Sequence, residues 1–420
     1  MKLNQWTLTL AAAGVVSLGS VVMAEEAQHQ VLTALSSTTL SGYVDTSAIW
    51  QFGHGKTATG RSYDGPDKQN AFSLDVVKVS LEKPLDEGQW SAGYKVDLLA
   101  GPDANIYNSA SSPFGVATSD FAIQQAYVDM RAPVGNGLDF KMGVFNTVIG
   151  YETFDAGKNP NFSRSYGYFI EPLSHTGILA TYQAADWISL SAGIADTWSQ
   201  TINGRAYRGT LPLAPIGFPP TANVAKDSEK TYMGGFTLTA PESMGVLKGA
   251  QLYAGIVDGL PGIGTANPAN SDWTSYYVGA TVPTPLTGLT VGASYDYRGG
   301  KENTSAGLPS TFANATALYL KYKATEKLTL ANRAEYATAT TGTWNTVNPL
   351  ASDDAFFADT VTVDYSLWAN VITRVEFRWD HDLTGSHSAF GTGPAPLAGP
   401  AGRNYSNNAL SLALNVIYQF

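Results

Sequence analysis

The 420-residue chain sets 25 Lys and Arg against 35 Asp and Glu, a formal charge of −10, and contains no cysteine. That balance argues against a nucleic-acid surface, and the missing thiols exclude disulfides, zinc–thiolate sites and a cysteine nucleophile. Charged residues are only 14%, against about 25% in ordinary soluble domains, while 42 glycines, 22 tyrosines and 9 tryptophans are unusually many.

Residues 1–24 join a basic start (Lys2) to the apolar stretch "LTLAAAGVVSLGSVV" and a small-residue ending, Val22-Met23-Ala24. This is the pattern of a secretory signal peptide, with cleavage expected after Ala24. The apolar stretch is short for a spanning helix of about 20 residues. With Lys2 removed, 24 basic residues face 35 acidic ones, so the exported chain would carry −11. Residues 25–39 read as an N-terminal tail, either a short helix or a flexible segment.

From Leu40 to Phe420 the dominant signal is period-2 alternation. The end of the chain shows it: Leu410, Leu412, Leu414, Val416, Tyr418 and Phe420 share one face, and Ala409, Ser411, Ala413, Asn415 and Gln419 the other. Ile417 is the exception. Strands are predicted at 40–52, 70–83, 89–100, 119–132, 137–146, 173–184, 186–199, 228–240, 248–258, 271–282, 287–298, 312–323, 327–338, 355–367, 370–381 and 407–420. Sixteen is an even number, as bacterial outer-membrane barrels have.

The connections alternate in length. Short ones fall at 84–88, 133–136, 241–247, 283–286 and 324–326, with almost no gap after Ala184 and Leu367. Long ones fall near 53–69, 101–118, 147–172, 200–227, 259–270, 299–311, 339–354 and 382–406. Short periplasmic turns and long extracellular loops are what a closed antiparallel transmembrane barrel requires. Aromatics near the strand ends (Trp50, Phe52, Trp198, Trp273, Tyr297 and Trp379 outside; Trp90, Tyr182, Trp187, Tyr322, Tyr418 and Phe420 inside) predict interfacial girdles.

The terminal "VIYQF" is similar to the aromatic-ending signal that outer-membrane barrels present to the assembly machinery. The stretch "MGVFNTVIGYETFDAGKNPNFSRSYGYFIEPLSHTG" (142–177) resembles the OmpL-like beta-barrel porin-2 family. The resemblance rests on Gly143, Phe145, Gly150, Glu152, Asn159, Pro160, Asn161, Ser163, Arg164, Ser165, Tyr166, Pro172, His175, Thr176 and Gly177. It implies an outer-membrane pore, it allows a homotrimer, and it implies that the third long loop, 147–172, folds into the lumen as an eyelet.

The residues of that loop support the same expectation. Glu152, Asp155, Lys158, Arg164 and Glu171 supply both charge signs beside Tyr166, and irregular backbone at membrane depth is tolerated where it is packed in protein or lines water. By alternation, Arg131, Arg333, Glu335, Arg374, Glu376, Arg378 and Asp380 face the lumen, because a charged side chain on the lipid face costs several kcal/mol at mid-depth. These residues are expected either to filter solutes by charge or to hold the wall together as cross-strand pairs.

No Gly-x-Ser-x-Gly elbow, HExxH helix or P-loop is present, so neither catalysis nor a cofactor or metal is expected. The reading is a sixteen-stranded, all-β barrel in the outer membrane of a Gram-negative bacterium, passing small hydrophilic solutes and ions by diffusion. Its expected partners are lipid and lipopolysaccharide, and the barrel-assembly machinery through Phe420. Two alternatives stand beside it. One is a sugar- or oligosaccharide-specific pore using Tyr43, Tyr127, Tyr253 and Tyr319 as a stacking track. The other is a non-conducting adhesin or structural barrel.

Overall fold

The computed structural model describes residues 37–52, 68–107, 119–204, 206, 229–261, 272–301, 310–340, 343–344, 353–384, 390–392 and 404–420. The predicted signal peptide and most of the predicted tail lie outside these residues, as do parts of the long outer loops.

The strands are β1 (Thr39–Phe52), β2 (Ala71–Lys83), β3 (Ser91–Ala100), β4 (Phe121–Ala132), β5 (Leu138–Asn146), β6 (Ser174–Ala185), β7 (Ile188–Ala195), β8 (Thr231–Thr239) and β9 (Gln251–Gly259). They continue with β10 (Trp273–Pro283), β11 (Leu289–Gly300), β12 (Thr311–Lys323), β13 (Leu328–Ala339), β14 (Asp354–Tyr365) and β15 (Val371–Asp382). The short β16 (Phe390–Thr392) and β17 (Asn404–Ser406) form a separate hairpin, and β18 (Asn408–Gln419) ends the chain. Sixteen of them close one barrel in which every neighbouring pair is antiparallel; β18 lies between β15 and β1. At the seam the backbones of Gly42 and Phe420 exchange two hydrogen bonds, of 2.9 and 3.0 Å.

Each barrel strand overlaps its predicted segment, because side chains that alternate across a strand must alternate between two different environments. On β15, Val375 and Phe377 face outward and are exposed, while Arg374, Glu376, Arg378 and Asp380 face inward and are buried. Outward Phe72, Val128, Met142, Ile178, Leu318 and Val361 continue the apolar outer surface.

Two local expectations are corrected. The β14–β15 connection occupies residues 366–370, where Asn370 at φ 64° completes a turn, so the gap after Leu367 is not close to zero. Trp198 is not a girdle residue: it lies past the end of β7, is buried inside, donates to Ser275 Oγ at 3.2 Å and stands edge-on to Trp273 at 4.7 Å.

The apolar core is inside the barrel, between its wall and the connection of β5 to β6, residues 147–173 (loop L3). L3 contains a 3-10 turn, Ala156–Lys158, and helix α1, Tyr166–Ile170, capped by the Ser165 hydroxyl accepting from the Tyr168 amide. Where α1 docks, inward positions of the wall are alanine: Ala313 and Ala315 on β12, Ala337 and Ala339 on β13, and Ala358 on β14. Small side chains there leave room for Tyr166 and Ile170 to reach a close-packed fit. Ile417, the exception in the alternation of β18, points inward because it packs in the cluster that holds Phe154, Ala156 and Phe162 of L3.

Candidate functional site

L3 leaves the wall at β5 and β6 and is held by side chains from one contiguous stretch of it, β13 through β15 and β18 to β1 and β2. On β13, Arg333 donates through Nη1 to Glu152 Oε1 at 2.8 Å and to the Ser163 carbonyl at 2.6 Å, while its Nε meets Glu335 Oε1 at 2.6 Å. The second oxygen of Glu335 accepts the Tyr166 amide at 2.7 Å, and that of Glu152 accepts the Ser165 amide at 2.8 Å.

On β15, Arg374 donates to the carbonyls of Ala156 and Asn159 at 2.7 and 3.1 Å and pairs with Asp364 at 2.9 Å. Glu376 accepts the amides of Phe162 and Ser163 at 2.6 and 2.9 Å, together with the Thr362 hydroxyl at 2.8 Å. Arg378 donates to the Arg164 carbonyl at 2.7 Å and pairs with Asp380, which also accepts the Tyr166 hydroxyl at 2.9 Å. Such charge-assisted bonds are the stronger kind, and each buried ion has its neighbours satisfied, as burial demands.

From the other side of the seam, Lys78 on β2 pairs with Asp155 at 2.9 Å and the Tyr43 hydroxyl of β1 donates to the same carboxylate at 3.1 Å. Burial works against the charge of Asp155, yet Lys78 and Lys158 outweigh it and hold the carboxyl below its usual range. At the C-terminal end of L3, burial first and then the Asp296 carboxylate push Glu171 well above the usual range. Gly150 sits opposite at φ 116°, and a Cβ there would lie 2.3 Å from Glu171 Oε2, so glycine is needed for both conformation and space.

Besides Glu171, the residues singled out in the sequence divide into four groups. Glu152, Asp155, Tyr166, Arg333, Glu335, Arg374, Glu376, Arg378 and Asp380 come together, but as a buried clamp between L3 and the wall and not as side chains facing water. Arg164 turns its guanidinium onto L3 itself. It is buried and folds L3 on itself, donating to the carbonyls of Thr153, Phe154 and Phe162. Arg131 stands apart beside the 133–137 turn, forked onto Asp139 at 2.7 and 2.8 Å. Lys158 alone of the selected L3 cations reaches open space, with 67% of its side chain exposed.

That space is a cavity of about 450 Å³ between L3 and the wall of β9–β12. Tyr151, Lys158 and Pro160 border it on the L3 side, and Tyr253, Tyr277, Tyr319 and Lys321 on the wall. Tyr151 lies flat on Tyr319 with centroids 4.1 Å apart. Of the four lumen tyrosines expected to form a track, Tyr253 and Tyr319 border this cavity, Tyr43 is engaged with Asp155, and Tyr127 lies under Lys141 at 4.9 Å. The sequence reading missed Tyr151 and Tyr277; the inward parity of β10 is the signal that marks Tyr277.

A closed barrel of sixteen strands with an apolar outer belt, and an internal loop clamped by buried arginines, defines the class of outer-membrane porins, channels for the passive diffusion of solutes. Residues 37–420 match the family model described as Putative beta-barrel porin-2, OmpL-like, and the chain belongs to that family. No curated protein matches it in sequence at a significant level. Among solved structures it is similar to the anion-selective porin from Comamonas acidovorans, with 12% identity, TM-score 0.56, and coverage of 91% of this chain and 99% of that one. It is also similar to the trimer form of in-vitro folded OmpT from Vibrio cholerae (12%, TM-score 0.54, 91% and 99%) and to the channel DcaP of Acinetobacter baumannii (12%, 0.53, 91% and 97%). At such identities the likeness is one of fold.

Proposed function

We propose that L3 is the element that sets the size of the conducting path, and that solutes pass through the space left between it and the β9–β12 wall. The observation that supports this reading is the clamp itself. Arg333, Arg374 and Arg378 hold the L3 backbone by its carbonyls, so the loop behaves as part of the wall and leaves the cavity beside Lys158 open.

The reading has the short turns facing the periplasm, the long loops facing outside, cleavage after Ala24, and the outer belt in contact with lipid and lipopolysaccharide. Recognition by the assembly machinery is assigned to the segment ending in Phe420, and a homotrimer to the unit in the membrane. Transport by diffusion involves no catalytic step. The test is planar-bilayer recording with purified protein: stepwise conductance that grows with salt concentration is expected, and silence would favour an adhesin or structural barrel. Swelling of proteoliposomes by neutral sugars of increasing size then measures the opening. Saturable block by one sugar would favour the sugar-specific alternative.

A further inference from the structure

The path that L3 leaves open has an uneven distribution of charge. Strands β6 to β10 carry no lysine, arginine or glutamate and a single aspartate, Asp258, which faces outward and accepts from the Thr274 hydroxyl. Their inward positions near the cavity are Gln251, Tyr253, Tyr277 and Thr281. The carboxylates of the opposite wall are consumed: Glu335, Glu376 and Asp380 are buried in the clamp, and Asp155 is covered by Lys78, Lys158 and Tyr43.

What remains at the cavity surface is two ammonium groups. Lys158 extends into it from L3 with 67% of its side chain exposed, and it shares Asp155, at 2.8 Å, with Lys78, so that two ammonium groups stand over one carboxylate. Lys321 faces it from β12, is exposed, and makes no ion pair among the described residues. No carboxylate lines the cavity. The negative charge of the whole chain does not cancel this, because screening limits its reach to about 8–10 Å in salt water, whereas the two lysines border the path directly. Beside them, Tyr151 and Tyr253 are half-buried and present aromatic surface to a ring, Tyr151 backed on one face by Tyr319, while Tyr277 and Tyr319 are buried in the wall beneath.

We propose that this cavity is a selectivity site for small solutes bearing anionic oxygens, a carboxylate or phosphate attached to a ring, with Lys158 and Lys321 meeting the anion and Tyr151 and Tyr253 meeting the ring. The inference rests on the pore reading and names its solute class.

The test uses the purified full barrel in planar bilayers under a potassium chloride gradient. The reversal potential is expected to have the sign of chloride preference. Lys321→Gln, a change on the wall outside the clamp, is expected to lower the chloride-to-potassium permeability ratio by about fivefold, the factor that loss of one exposed charge carries at contact distance in water. Adding Lys158→Gln lowers it further while conductance persists. Benzoate and glucose 6-phosphate are then compared with benzyl alcohol and glucose. Current interruptions by either anion, stronger than those by its neutral partner and lost in the double variant, support the site and show which anionic group it favours. Cation preference in the unmodified barrel, an unchanged ratio in the double variant, or equal interruption by charged and neutral probes overturns it. A silent barrel overturns the pore reading and this inference with it; a conducting barrel without anion preference overturns this inference alone.

Discussion

Arg333 and Glu152, 181 residues apart in the chain, meet at 2.8 Å with both side chains fully buried. One belongs to the middle of β13 and the other to L3, so this single ion pair fixes an irregular segment to the barrel wall. Arg333→Ala would leave Glu152 buried without its cation and Glu335 with only the longer pair to Arg378 at 3.6 Å, a loss of about 3–5 kcal/mol. The expected outcome is a lower thermal midpoint in detergent and a larger, noisier single-channel conductance, read from melting curves and bilayer traces.

Glu376 separates the contribution of a carboxylate from that of an amide. It accepts two L3 amides and the Thr362 hydroxyl, and hydrogen bonds to a charged group contribute about 1.5–3 kcal/mol each. Glu376→Gln keeps one acceptor oxygen and Glu376→Ala keeps none. Conductance fluctuations are therefore expected to rise in the order wild type, Gln, Ala, with barrel assembly, assayed by gel mobility without heating, retained in all three.

Arg164 gives a different signature, because its guanidinium donates to three L3 carbonyls and is buried. Arg164→Ala is expected to loosen the loop and raise conductance with little change in reversal potential. Arg164→Lys, which cannot span three carbonyls with one ammonium, is expected to resemble Ala. A large change of ion preference in Arg164→Ala would instead make it a lining residue.

Glu171 makes the loop sensitive to pH. Burial and the facing Asp296 of β11, with a smaller share from Glu152, raise its folded value. A carboxyl raised in this way keeps its proton in the folded protein where the unfolded chain has lost it. Its stabilising share is complete below about pH 4, the ordinary glutamate value, and fades as pH rises through the raised folded value. Melting temperature is expected to fall and gating noise to rise toward alkaline pH. Glu171→Gln, neutral throughout, is expected to flatten both.

The strands were legible because one chemical rule governs them. A residue such as Phe377 or Arg378 has to satisfy either lipid or the interior, and parity states which. Parity does not state what the interior contains. The same Arg374 would face water in an open barrel or a carbonyl under a folded loop, and only the position of Ala156 and Asn159 decides. For the same reason Ile417 looked like a fault in the pattern of β18 until Ala156 and Phe154 were seen to pack in its cluster. Arg164 was conspicuous as a charge, but its partners are carbonyls, which every residue carries and which leave no mark in the sequence.

L3 reaches both sides of the seam where the first and last strands meet. Asp155 is bound by Tyr43 on β1 and Lys78 on β2, while Ala156 accepts from Arg374 on β15 and packs in one cluster with Ile417 of β18. The anchors on β13 and β15 need no seam, but those on β1 and β2 reach L3 only where β1 pairs with β18. L3 is thus a latch laid across the closure, tying the first strands of the barrel to its last ones from within.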